Sequence, residues 1–306
     1  MKIVIIGGGA MGSIYAGHLS TNNEVYMVDI NQDVVDKVNK DGLVVLEDGK
    51  ENIYKPKAVT DSKGIGTADL IIVFVKSIFS ESALRENMHL IGNNTALMTL
   101  QNGAGHEKIL SKFVPLDRVI IGTTEDNGAV VGLGKVRRGG DGKTNIGSIA
   151  KNPKVSLEKI KESFDKSGFK VEIHDNIQQL IWNKIITNAS LSSVTAILQC
   201  SMGYIARDEY AWKMTQSLFN EVINTGEALG LKFDREKELE KVRMTSMNNP
   251  EGYTSIYADI KNGRKTEVDT ISGAVVQTAK EVGVEVPVSE FVVNMIHALE
   301  NSKRDL

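Results

Sequence analysis

The stretch IVIIGGGAMGSIYAGHL, residues 3–19, decides the fold of this chain. An apolar run of strand type comes first, and a helical pattern begins among the glycines that follow it. Gly7 permits a tight turn, Gly9 lets the backbone approach a pyrophosphate, and Gly12 lets the helix pack against the strand. The helix start presents free N–H groups to phosphates. The stretch predicts a dinucleotide-binding strand–turn–helix unit; a glycine turn without a ligand is the alternative.

An aspartate ends the second predicted strand. Asp29 lies about 20 residues beyond the glycines, where an acid binds the adenosine ribose hydroxyls and repels a 2′-phosphate. Neither Ile30 nor Asn31 supplies a cation for such a phosphate, so we expect NAD(H), with NADP(H) left open. Alternatively, Asp29 only caps the helix that follows. The predicted cofactor-binding residues in this region are Gly7, Gly9, Ala10, Met11, Gly12 and Asp29.

The first half of the chain alternates short β-rich runs with helical patterns, which is typical of a parallel sheet covered by helices. Several runs are apolar almost throughout, as in strands buried on both faces. Residues 42–59 predict a β-hairpin, glycines from 128 to 147 predict further antiparallel strands, and residues 155–175 predict a helix and a strand. The predicted main strands are 2–7, 24–29, 70–76, 96–102 and 118–124.

The second half contains helical patterns without a convincing strand. They cover roughly 176–199, 207–230, 235–247, 252–262, 266–282 and 284–300. We therefore predict an α/β protein in which a Rossmann-type dinucleotide-binding domain, residues 1–174, precedes an all-helical substrate and catalytic domain, residues 175–306. A cleft between two such domains is the expected place for a ligand.

Bulk composition narrows the class of protein. The 306 residues exceed the usual size of one core, and the apolar (41%) and charged (25%) shares are typical of globular proteins. A net charge of -3 gives no sign of a nucleic-acid or membrane partner. The single cysteine, Cys200, suits a reducing cytoplasm. No run predicts a signal peptide or membrane span, and no Cys/His/carboxylate spacing predicts a metal site.

Polar residues end two of the predicted strands. Lys76 ends LIIVFVK and Asn102 ends ALMTLQN, and ligands of open α/β sheets lie beyond the carboxyl ends of the strands. Both residues are therefore expected to face the cofactor. The alternatives are a solvated lysine at a helix start and an ordinary Asn-Gly turn.

Lys184 stands where an apolar helix pattern calls for leucine. It precedes Asn188 by four residues, so the two side chains share one helix face. A lysine whose stem lies along an apolar stripe while its ammonium reaches water is the alternative. Further on, Thr266 with Asp269 predicts a capping box, which places Glu267 in the first turn of a helix that begins at Thr266.

Together these segments resemble the ketopantoate reductase family, which comprises 2-dehydropantoate 2-reductases and related D-2-hydroxy-acid dehydrogenases. The motifs GGGAMG, FVK and LQNGAG precede the two most specific segments, IWNKIITN (181–188) and SIYADIKNGRKTEVDTISG (255–273). The resemblance implies that Lys184 and Glu267 are catalytic. It implies substrate or nicotinamide contacts for Asn102, Asn188 and Ser255, a cofactor-side position for Lys76, and a homodimer.

The resemblance implies reduction of a branched 2-oxo acid by a nicotinamide cofactor, with 2-dehydropantoate (ketopantoate) giving D-pantoate as the first candidate. The chain departs from the family pattern in two places: Ser192 and Ser193 replace an asparagine and a proline, and Ile30 replaces a basic residue found in members that prefer NADPH. An NAD-dependent D-2-hydroxy-acid dehydrogenase for other branched or aromatic substrates is therefore a close alternative. A 3-hydroxy-acid dehydrogenase and a non-catalytic NAD(H)-binding regulator are more distant alternatives.

Overall fold

The computed structural model describes residues 1–302, which form two compact units. The first unit contains residues 1–101 and 106–177. The second contains the chain from Gln178 onward, and the short segment Asn102–Gly105 groups with it. A loop that follows a strand of the first unit is thus built into the second.

The first unit is built on twelve strands within residues 1–302. They are β1 (Lys2–Ile6), β2 (Glu24–Val28), β3 (Leu43–Glu47), β4 (Lys50–Tyr54), β5 (Lys57–Val59), β6 (Leu70–Val73), β7 (Ala96–Thr99), β8 (Val119–Thr124), β9 (Asn127–Gly132), β10 (Lys135–Gly139), β11 (Lys143–Gly147) and β12 (Lys170–Ile173). The main sheet has the order β12-β11-β8-β7-β6-β1-β2-β5 and the second sheet the order β4-β3-β10-β9. In the main sheet only the β8–β11 pair is antiparallel.

The five main strands predicted from sequence are confirmed, and their apolar composition follows from their position. Every residue of β6 and β7 is buried, because helices cover both faces of the sheet. The helices of this unit are α1 (Ala10–Leu19), α2 (Gln32–Asp41), α3 (Ser80–Glu86), α4 (His106–Leu110) and α5 (Leu157–Lys166). β6 and β7 each end three residues earlier than predicted, so Lys76 and Asn102 lie in the loops that follow.

The hairpin predicted for residues 42–59 is confirmed as β3 and β4, whose turn carries Gly49 at φ 73°. A buried polar cluster joins this second sheet to α1. The Glu47 carboxylate lies 2.9 Å from His18 Nε2 and accepts a hydrogen bond from Arg138, which also pairs with Asp126 at 2.9 Å. Burial lowers the pKa of His18, although Glu47 opposes the shift. The second sheet is thereby fixed against the helix that begins at the glycine loop.

The described part of the second unit contains helices and no strand, as predicted. Its helices are α6 (Ile177–Leu198, of which Ile177 groups with the first unit), α7 (Met202–Arg207), α8 (Glu209–Ala228), α9 (Arg235–Asn248), α10 (Ser255–Lys261), α11 (Ser272–Val282) and α12 (Pro287–Ser302). The short α7 was missed by sequence reasoning.

The helix predicted to begin at Thr266 begins instead at Ser272, so the placement of Glu267 in a first helical turn was wrong. Glu267 lies in a turn that precedes α11. The capping box was wrong as well, because the Thr266 hydroxyl accepts from Val268 N–H at 3.1 Å and donates to Glu300. The N–H of Thr266 likewise donates to the Glu300 carboxylate of α12 and not to the side chain of Asp269, as a capping box would require.

Candidate functional site

The glycine loop has the conformation that the sequence demands. Gly7 has φ 106°, a value that L side chains rarely adopt, and its N–H donates to Val28 O at 2.9 Å. A Cβ on Gly12 would lie 1.8 Å from the Gly7 carbonyl oxygen, so α1 approaches the loop too closely for any other residue. A Cβ on Gly9 would have nothing within 4 Å, and no side chain caps α1. The loop therefore offers open space in front of helix N–H groups, as a pyrophosphate requires.

Asp29 is held beside that loop by two backbone hydrogen bonds. Its Oδ2 accepts from Gly8 N–H at 2.7 Å and its Oδ1 from Asn31 N–H at 2.8 Å. The cap of α2 is the Asn31 side chain, which accepts from Asp33 and Val34 N–H, so Asp29 is not needed for that purpose. Ile30 is 95% exposed and adds no charge. The arrangement fits an acid that binds ribose hydroxyls.

Lys76 follows β6, the strand next to β1, and is half-buried before a 3₁₀ turn at Ser77–Phe79. Gln101 was not among the site residues predicted from sequence. Its amide donates to Val75 O at 2.5 Å, and its Oε1 accepts from the Thr99 hydroxyl at 2.7 Å. Gln101 thus ties the segment before Lys76 to the end of β7. Lys76, the glycine loop and Asp29 follow three adjacent parallel strands at the same edge of the sheet.

The glycine geometry yields a paired prediction. Gly12→Ala should lower the midpoint of thermal unfolding, because the new Cβ overlaps a backbone oxygen that cannot move without the loop. Gly9→Ala should leave the midpoint nearly unchanged and weaken dinucleotide binding, because its Cβ enters only the open space. Calorimetry and a fluorescence titration with NADH measure both effects. Equal loss of stability in the two variants would contradict this account of the loop.

In the second unit, α6 carries Lys184 and Asn188 as predicted on one face, one turn apart, and both are half-buried. Ile181 and Ile185 beside them are buried, with exposures of 6% and 1%. A reciprocal pair of hydrogen bonds between the Gln179 amide and the backbone of Lys232 holds the start of the helix. Lys184 therefore lies on a helix whose start is held by side-chain hydrogen bonds and whose residues beside Lys184 are buried.

The polar residues further along α6 connect it to the two segments that carry the other predicted residues. The Thr195 hydroxyl lies 2.7 Å from the Thr254 hydroxyl, and Thr254 also donates to Ser192 O at 3.3 Å. Thr254 caps α10, whose first residue is the exposed Ser255. On the other side, the hydroxyl of the fully buried Ser193 lies 3.2 Å from that of Ser272, the first residue of α11.

The Asn102 loop docks on the turn that contains Glu267. Ala104 N–H donates to Thr270 O at 2.9 Å, and the Thr270 hydroxyl donates to Asn102 O at 3.3 Å. A Cβ on Gly103, which has φ 104°, would lie 2.0 Å from Thr270 O, so only glycine permits this approach. The Glu267 turn closes on itself through Ile271 N–H to Glu267 O at 3.1 Å. The structure thus joins the segments bearing Asn102, Glu267, Ser255 and the α6 residues within one unit.

Glu300, in the last turn of α12, anchors the residues before Glu267. Its Oε1 accepts from both the N–H and the hydroxyl of Thr266, each at 2.8 Å, and its Oε2 accepts from Lys265 Nζ at 2.6 Å. Burial alone would raise the pKa of this carboxyl, but these donors lower it to about 2. The sequence offered one signal for Glu300: the helix macrodipole disfavours an acid in a last turn, so a buried one there needs a partner.

The pKa of Glu300 predicts a pH dependence of stability. Since the folded-state pKa of about 2 lies below the ordinary 4.5, the carboxylate stabilises the folded chain above pH 4.5, and this contribution is lost as the pH falls toward 2. We expect the difference in free energy of unfolding between the native chain and Glu300→Gln to be constant near neutral pH and to shrink below pH 4.5. Urea titrations at a series of pH values measure it. Glu290→Gln, on the same helix but exposed, is the control and should show little change.

Residues 1–302 lack two other kinds of feature that bear on function. This range contains no cluster of three or more His, Cys, Asp or Glu residues that could hold a metal ion. None of its helices is both long enough and apolar enough to cross a membrane.

Two family models match the chain. The model described as ketopantoate reductase PanE/ApbA matches residues 3–151, and the model of the C-terminal part of the same family matches residues 176–300. The chain belongs to the ketopantoate reductase family.

The chain is similar to several known proteins along nearly all of its length. The 2-dehydropantoate 2-reductase of Pyrococcus horikoshii is 32% identical, with 98% of each chain covered. The 2-dehydropantoate 2-reductase of Streptococcus pyogenes serotype M6 is 29% identical at the same coverage. The solved structure of a D-mandelate dehydrogenase with NADH and anilino(oxo)acetate is 31% identical, with a TM-score of 0.90 and 99% of each chain covered.

Proposed function

We propose that this chain reduces a branched 2-oxo acid, with 2-dehydropantoate as the first candidate and D-pantoate as its product, at the expense of a nicotinamide cofactor. One observation carries the proposal. The helix that bears Lys184 and Asn188, the turn that bears Glu267 and the loop that bears Asn102 are joined by specific hydrogen bonds, in a chain that belongs to the ketopantoate reductase family.

The cofactor-binding residues we propose are those of the glycine loop, namely Gly7, Gly9, Ala10, Met11 and Gly12, together with Asp29, Lys76 and Asn102. The open space at Gly9 and the uncapped start of α1 suit a pyrophosphate. The fixed carboxylate of Asp29 suits the adenosine ribose. In this scheme residues 1–174 bind the cofactor and residues 175–306 supply the catalytic groups.

A bound nicotinamide would supply the hydride that adds to the keto carbon. The keto oxygen then takes up negative charge and needs a proton. Lys184 is the proton donor in our proposal: its ammonium transfers a proton to that oxygen and becomes an amine, which solvent reprotonates. Its buried neighbours Ile181 and Ile185 favour this transfer, because an apolar surrounding disfavours the ammonium charge.

In this proposal, three uncharged side chains bind the substrate. Asn102, Asn188 and Ser255 offer hydrogen bonds to the substrate carboxylate and carbonyl. Glu267 supplies the negative charge that orients either the Lys184 ammonium or a hydroxyl of the substrate. The acid therefore has to be held in place during the reaction.

Replacement of Lys184 tests the proposed chemistry. Lys184→Met keeps the apolar stem and removes the proton, so kcat should fall by about 10² to 10⁴-fold while NADH binding changes little. Lys213→Met, at an exposed lysine of α8 paired with Glu209, is the control and should keep full activity. The assay follows cofactor oxidation with ketopantoate, 2-oxoisocaproate, benzoylformate and 3-oxo acids. Absence of oxidation with every 2-oxo acid would overturn the proposed function.

We propose NADH as the preferred cofactor, on the strength of Asp29 and Ile30. The ratio of kcat/KM for NADH to that for NADPH should exceed about ten, because a carboxylate at this position repels the 2′-phosphate. Asp29→Ser combined with Ile30→Arg should reduce or reverse the ratio, whereas Asp33→Ser, at an exposed acid of α2, should leave it unchanged. A tenfold preference of the native chain for NADPH would contradict the assignment.

A second candidate is an NAD-dependent D-2-hydroxy-acid dehydrogenase for aromatic or other branched substrates. The chain is similar to the D-mandelate dehydrogenase whose structure holds NADH, and its Ser192 and Ser193 depart from the pattern usual for ketopantoate reductases. A kcat/KM for benzoylformate above that for ketopantoate in the same panel would favour this candidate.

We further propose a cytoplasmic homodimer. Exposed apolar residues of the helical unit, among them Met214 and Phe291, support a surface that pairs with a second copy. The single cysteine, Cys200, is compatible with a reducing compartment.

A further inference from the structure

Two glutamates of the helical unit are buried, and each accepts several hydrogen bonds. One binds the start of α12 and the other lies near its end. Glu221, on α8, accepts from Val288 N–H, Ser289 N–H and the Ser289 hydroxyl at 2.9, 2.7 and 2.6 Å. It therefore neutralises the positive start of α12, as the helix macrodipole favours. Glu300, at the opposite end of the same helix, has a matching set of donors from Thr266 and Lys265.

The position of Glu300 is electrostatically unfavourable for α12 itself. A carboxylate in the last turn faces the negative end of the macrodipole, and its exposure is only 4%. Helix stability therefore does not account for it. The carboxylate instead fixes the geometry of Thr266, because the backbone N–H and the hydroxyl of Thr266 both donate to the same carboxylate oxygen.

The neighbouring residue His297 extends this contact to the other side of Glu267. His297 Nε2 lies 3.0 Å from Asp269 Oδ1, and its Nδ1 lies 3.3 Å from Glu300 Oε2. One turn of α12 thus contacts the residue before Glu267 and the residue two positions after it. The turn that contains Glu267 also contains Thr270, which forms hydrogen bonds with the Asn102 loop.

We propose that Glu300 is a positioning residue for the reaction: it fixes the backbone at Thr266 and so sets the position of the Glu267 carboxylate. The inference rests on the proposed function, in which Glu267 acts on the substrate or on Lys184. His297 supports the same turn through Asp269 but is partly exposed, so Glu300 carries the larger share.

Glu300→Gln tests this, with Glu221→Gln as the matched control. Glutamine keeps the volume and one acceptor at each site, but its amide cannot accept from all three donors. We expect kcat with the best 2-oxo acid to fall by about 10 to 100-fold in Glu300→Gln, with KM for NADH unchanged. Glu221→Gln should lose a similar amount of thermal stability and keep kcat within about threefold, because its donors lie at the far end of α12.

A double variant separates positioning from general loosening. If Glu300 acts through Glu267, Glu300→Gln should cause no further loss of kcat in a Glu267→Gln background. Independent losses that multiply in the double variant, or equal kcat in Glu300→Gln and Glu221→Gln, would overturn the inference and leave the proposed function intact. An inactive native chain would overturn the proposed function itself, and the positioning role with it.

Discussion

The close approach of α1 to the glycine loop is the constraint on which the first unit depends. No atom larger than hydrogen fits between Gly12 and the Gly7 carbonyl, so the helix start is fixed directly beyond β1. That contact also places Gly8 N–H on the Asp29 carboxylate, which couples the ends of two adjacent strands. The same helix carries His18, whose buried pairing with Glu47 brings the second sheet against its other end. The proposed dinucleotide binding and the packing of the first unit therefore depend on the same helix.

The features that could be predicted from sequence are those set by neighbouring residues. Strand positions followed from short apolar runs, since strands covered on both faces have few other solutions. The hairpin at residues 42–59 followed from its turn, and α6 from its periodicity. Thr266 could not be placed in this way, because its local pattern is that of a helix cap. The partner that decides its conformation, Glu300, lies 34 residues further along the chain.

The candidate site likewise has features set by neighbouring residues, which the sequence predicts, and features set by distant partners, which it does not. Lys184 and Asn188 share a face because both lie on one helix, which periodicity alone indicates. The docking of the Asn102 loop on Thr270 depends on a backbone-to-backbone contact between segments that are distant in sequence. The one residue type that this contact requires is the glycine at position 103. The family motifs pair Lys184 with Glu267 through residue type and spacing. They do not indicate the hydrogen bonds that fix Thr266, the residue before Glu267, because those bonds involve Glu300, which lies outside the motifs.

Ser192 and Ser193, which depart from the family pattern, make different kinds of contact. Ser193 is fully buried and lies against Ser272, so its hydroxyl joins α6 to the start of α11, the helix that follows the Glu267 turn. Ser192 contributes its backbone carbonyl to Thr195 and Thr254, an interaction that other side chains would permit equally. Ser193 is therefore constrained through its hydroxyl, whereas Ser192, which is also buried with an exposure of 5%, makes its contacts to these threonines through its backbone.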